Sequence, residues 1–79
     1  MSDTSQIISP KQAAENATKF YREVTGTYPQ MTLEEIEFKD GYWHVTLGVQ
    51  SGLLYDQKDY KLFKVHATTG NVESMLKRK

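Results

Sequence analysis

The chain has 79 residues, ten basic and ten acidic side chains, a formal net charge of zero and no cysteine. That is room for one domain, which would bury only about 60% of the surface its unfolded chain exposes, and it excludes disulfide staples and thiolate metal sites. No apolar run approaches the ~20 residues of a membrane span or the ~7–15 of a secretory leader, so a soluble, cytoplasmic protein without a membrane partner is expected. Balanced charge argues against a dedicated nucleic-acid binder, which would carry a basic stripe.

Residues 1–8 read as a disordered start, since Ser2, Asp3, Thr4 and Ser5 offer nothing to pack. A single domain over 9–76 and a basic tail over 77–79 follow. Ser9 and Gln12 have capping-box spacing, Pro10 falls at the first helical position, and Ile8 and Ala13 are spaced as a hydrophobic staple. Ala13, Ala14, Ala17, Phe20, Tyr21 and Val24 then recur at three- and four-residue intervals, which predicts an amphipathic helix of about four turns. Gly26 is placed to end it in the left-handed conformation, and Pro29 prevents a restart.

The period then changes to two. Glu35 to Lys39 predicts a strand, Asp40-Gly41 a tight hairpin turn, and Tyr42 to Val49 a second strand with Trp43, Val45, Leu47 and Val49 on its core face. Thr32 and Glu35 also have capping-box spacing, but a helix there would have barely two turns before Asp40, too few to stand alone. Gln50 to Asp59 reads as a loop, Lys61 to Ala67 as a third strand, Thr68 to Asn71 as a turn, and Val72 to Leu76 as a short fourth strand. The expected fold is therefore α+β: one N-terminal amphipathic helix packed on an antiparallel meander of three to four strands.

Register defines the faces. With Asp40-Gly41 as the turn, Phe38 faces Trp43 and Ile36 faces Val45. A second hairpin that pairs core with core sets Val45 opposite Val65 and Leu47 opposite Phe63. The outer face then carries Glu37, His44 and His66 in one row, Glu35, Thr46 and Lys64 in the next, and Leu33, Gly48 and Leu62 in a third with Tyr60 nearby. It is charged at one end and apolar at the other, with acids and bases paired across strands.

The row Glu37, His44, His66 is the one cluster resembling a metal or acid–base site, but zinc needs four ligands or three plus water with supporting groups, and a flat exposed sheet supplies neither. No cofactor and no catalytic residue is expected. Asn16-Ala17-Thr18 matches a glycosylation acceptor, yet it sits inside a predicted helix. Stacking on nucleic acid is disfavoured because Trp43 and Phe63 belong to the core. The stronger lead is a surface for another protein, a second copy of the chain included: the 50–59 loop with Leu53, Leu54 and Tyr55, beside Leu33, Tyr60 and Leu62. The loop residues read equally well as a cover folded over the open side of the sheet.

The chain resembles a PepSY-type domain, a helix followed by a three-stranded meander. The resemblance rests on the alanine-bearing helix ending at Thr25-Gly26, on Asp40-Gly41-Tyr42-Trp43-His44-Val45, and on Val65-His66-Ala67-Thr68-Thr69-Gly70-Asn71-Val72. Within this architecture it is also similar to the gas-vesicle accessory protein O family at Trp43, Val45, Val49, Asp59-Tyr60, Gly70 and a basic end, although that family tends to end in arginines with an aromatic residue and this chain ends Lys77-Arg78-Lys79. The resemblance implies a non-catalytic regulatory or interaction module. The alternative reading is a small-ligand or metal binder, between helix and sheet or at His44 and His66, with weak nucleic-acid binding behind it.

Overall fold

A computed structural model of the chain describes residues 6–50 and 58–78. The helix forms where its start signals converge: α1 spans Pro10–Thr25. The Ser9 hydroxyl accepts from the Gln12 N–H at 3.1 Å, Pro10 opens the first turn, and Gly26 at φ 70° closes the last by donating its N–H to the Arg22 carbonyl at 2.8 Å. No described helix is long and apolar enough to cross a membrane.

Four strands follow, β1 (Met31–Lys39), β2 (Tyr42–Gln50), β3 (Lys58–His66) and β4 (Val72–Arg78), joined antiparallel in the order β1-β2-β3-β4. This is the expected α+β meander, with the fourth strand present and β1 beginning at Met31 rather than Glu35; the 50–59 loop is shorter than expected, since Gln50 pairs with Lys58 and Val49 with Asp59, and Lys77 and Arg78 continue β4 instead of forming a tail. Asp40 (φ 54°) and Gly41 (φ 82°) supply the two positive φ angles that a tight hairpin turn needs.

The first hairpin pairs Glu35 with Thr46, Ile36 with Val45, Glu37 with His44 and Phe38 with Trp43, as its turn dictates. Beyond Glu35 the expectation fails. Glu34 is an extra, bulged residue, so Leu33 faces Leu47 rather than Gly48, and Met31 faces Val49. The cause is visible in the sequence: Met31 and Leu33 are odd positions, Ile36 and Phe38 even ones, and one inserted residue is what brings both pairs to a single face.

The second hairpin is displaced by two residues from the expected register. Val45 pairs with Phe63, Trp43 with Val65, His44 with Lys64 and Tyr42 with His66. A slip of two leaves every side chain on its own face, so alternation could not separate the two registers. The adopted one gives an unbroken ladder from Tyr42–His66 to Gln50–Lys58, extended by the Ala67 N–H donating to the Gly41 carbonyl at 3.0 Å. In the third hairpin Phe63 pairs with Met75 and Leu62 with Leu76. Glu73 is the extra residue before Val65 meets Val72.

The core lies between α1 and one face of the sheet. Ala13 and Ala17 let the helix approach closely, and Val45, Leu47, Phe63 and Val65 are buried beneath it. The Phe20 ring meets Phe63 edge-on, centroids 6.5 Å apart. The helix entry is tied to the far end of the sheet. The Ile8 N–H donates to the Ala67 carbonyl at 2.8 Å, the Trp43 indole donates to the Ile8 carbonyl at 3.0 Å, and the Asn16 amide donates to the Gly70 carbonyl at 3.0 Å. Among the described residues Ile8, within the 1–8 segment, joins the core and completes the backbone bonding of Ala67.

Candidate functional site

Two surfaces have the make-up of binding sites, one on each side of the sheet. On the outer side the adopted registers redraw the rows. Glu37, His44, Lys64 and Ser74 now lie together, followed by Glu35, Thr46, Leu62 and Leu76. Leu62 and Leu76 are direct neighbours. Tyr60 is two residues along on the same face, and Tyr60 and Leu76 are 39% and 58% exposed. Sequence reasoning missed Leu76 because the partner of Leu62 depends on the third hairpin, which carries no turn signal as strict as Asp40-Gly41.

The outer face is drawn together by polar side chains. Lys58 Nζ stands 3.1 Å from Glu34 Oε2, and the Thr32 hydroxyl donates to the same oxygen at 2.6 Å. These three groups close over Gly48, where a Cβ would come within 2.7 Å of both Glu34 Oε2 and Lys58 Cδ. The Thr32 hydroxyl and then the Lys58 ammonium, donating to the Glu34 carboxylate, hold it below the ordinary carboxylate range. At the opposite corner the Lys64 ammonium lies 4.3 Å from the Tyr42 ring centroid. The Glu73 carboxylate raises the Tyr42 phenol pKa, by hydrogen bonding first and then by its charge.

The histidine row is not formed. His44 pairs with Lys64, and His66 pairs with Tyr42, edge-to-face at 5.2 Å. The His66 Nδ1 accepts from the Thr68 and Thr69 amides, both at 3.2 Å, so this nitrogen caps a turn. Among the described residues no three His, Asp or Glu side chains are grouped to hold a metal.

On the helix side an open groove of about 790 Å³ runs between α1 and the first half of β1, with Ala14, Thr18 and Arg22 on one wall, Met31 and Leu33 on the other and Leu47 as floor. The bulge at Glu34 creates the second wall by turning Leu33 to this side, where it stays 51% exposed. Ala14 and Thr18 are too small to fill the space opposite. Arg22 stands at one end with its guanidinium 5.6 Å from the Tyr28 ring centroid, and its Nε is buried without a hydrogen-bond partner among the described residues. An orphaned buried donor of this kind costs about 1–3 kcal/mol. The alternation of Met31 and Leu33 against Ile36 and Phe38 was the signal for this wall, and nothing in the sequence marked Arg22.

Of the residues expected to bind a partner, Tyr60 and Leu62 share the outer face as predicted. Leu33 is separated from them by the thickness of the sheet. Leu53, Leu54 and Tyr55 lie outside the described residues. No protein-family model matches the chain, and no curated protein and no solved structure is similar enough to it to match.

Proposed function

We propose that the chain is a small non-catalytic module that captures another protein, or a second copy of itself, through the outer face of its sheet. The observation that carries this reading is the apolar patch of Tyr60, Leu62 and Leu76, set among charged residues on a face that no described element covers. An apolar centre with a polar margin is the make-up of a protein-contact surface. Glu35 and Glu37 on one side and Lys64 on the other would orient the partner by charge. The resemblance to PepSY-type domains, and more narrowly to the gas-vesicle accessory protein O family, supports the same class of role, and the cysteine-free composition suits a cytoplasmic setting. Metal binding at His44 and His66 loses its motive, since the two side chains are not paired across the strands.

The test is capture from native lysate, with bound proteins identified by mass spectrometry and self-association followed by sedimentation. Replacing Leu62 and Leu76 together by serine is expected to abolish capture or self-association while circular dichroism and melting stay close to the parent's, because neither side chain belongs to the packed core. Undiminished binding by that variant overturns the reading.

A further inference from the structure

We propose that the groove between α1 and the first half of β1 binds a small apolar carboxylic acid, with its carboxylate on the Arg22 guanidinium and its hydrocarbon body over Ala14, Met31 and Leu33. This site is on the other side of the sheet from the protein-binding patch and goes beyond that reading. Its size, about 790 Å³, lies in the range of small-molecule sites, which are mostly apolar with a few placed polar groups.

The choice of a carboxylate comes from Arg22. A guanidinium offers parallel N–H donors that match the two oxygens of a carboxylate, the pair of terminal Nη groups among them. Here the Nε is closed off from any ligand, so the terminal Nη groups are the donors a carboxylate could meet, and no described acid forms an ion pair with Arg22, although Glu15 and Glu23 also line the groove. With Lys11 and Lys19, the groove has three cations against two acids, a balance that favours an anionic ligand. The apolar body is called for by Leu33, half exposed on the same sheet face as buried Leu47.

Decanoate titrated into the isotope-labelled full chain, with amide chemical shifts as readout and decanol as the probe lacking a carboxylate, tests this directly. Saturable shifts are expected at Ala14, Thr18, Met31 and Leu33, with none at Tyr60 or Leu62. Arg22→Gln should weaken decanoate about tenfold or more and leave decanol unchanged. Arg22→Lys should fall between parent and Arg22→Gln, because it keeps the charge and lacks the fork. The absence of saturable shifts, shifts confined to the Tyr60 and Leu62 side, or equal decanoate affinity in the parent and Arg22→Gln overturns the proposal. Tighter binding at the same amides by an apolar peptide with a free C-terminal carboxylate also overturns it, in favour of a protein terminus.

Discussion

The two faces of the sheet exclude water by different means. Beneath α1 the closure is hydrocarbon: Val45, Leu47, Phe63 and Val65 pack against Ala13, Ala17 and Phe20, and each contact depends on its neighbours keeping their positions. On the outer side Thr46 is only 2% exposed and Gly48 is also buried, yet no described element lies above them. Over Gly48 the covering is made by polar side chains, with Lys58, Glu34 and Thr32 closing above it. Burial therefore does not measure stabilisation by itself. On one face it reports cooperative packing, and on the other it reports flexible groups that can be moved aside at little cost.

Phe63→Ala should lose about 3–5 kcal/mol, a large share of the ~5–15 kcal/mol typical of a folded domain, measured by urea unfolding. A loss below about 1 kcal/mol would mean that the helix side is not held by packing. Trp43→Phe, which keeps a ring and removes the indole bond to Ile8, should cost about 1 kcal/mol, with faster hydrogen exchange at the Ile8 amide as its local mark. An unchanged Ile8 amide would dissociate the helix entry from the sheet.

The smallest effect is expected on the outer face. Gly48→Ala pushes against the tips of two flexible side chains, so stability at neutral pH should stay within about 0.5 kcal/mol of the parent, while the Glu34 carboxyl titrates closer to its ordinary value by NMR. The sign follows from linkage. A carboxyl whose folded pKa is lowered stabilises the fold above its unfolded pKa, and that contribution is lost as pH falls through the folded value. The parent's acid limb should therefore include a step that Gly48→Ala lacks, and identical acid limbs would remove the Glu34 tie from the account of this face.

What the sequence made legible follows the same division. The helix, its two ends, the Asp40-Gly41 hairpin and the core residues could be read because each rests on a local rule: a cap, a positive φ or a period. The second hairpin lies two residues from the register that core pairing predicts, because a period of two is blind to such a slip, and the predicted histidine row is lost with it. Leu33 lies on the opposite face from the one that alternation predicts because one inserted residue at Glu34 reverses it, and the odd and even placement of the apolar side chains carries the trace of that insertion. The groove, and Arg22 at its end, were not legible, since they depend on where α1 lies across the sheet and no local rule fixes that.

Both bulges, at Glu34 and at Glu73, fall on the outermost strands, while the central β2–β3 ladder runs without interruption. An edge strand offers a free row of amides and carbonyls to any other extended chain, and a bulge breaks that row and twists it away. For a protein whose net charge is zero, and which therefore lacks the mutual repulsion that keeps many small domains apart, this is protection against growth of the sheet from molecule to molecule. The irregularities that turn Leu33 toward the helix and set Val72 beneath it also end the sheet at four strands.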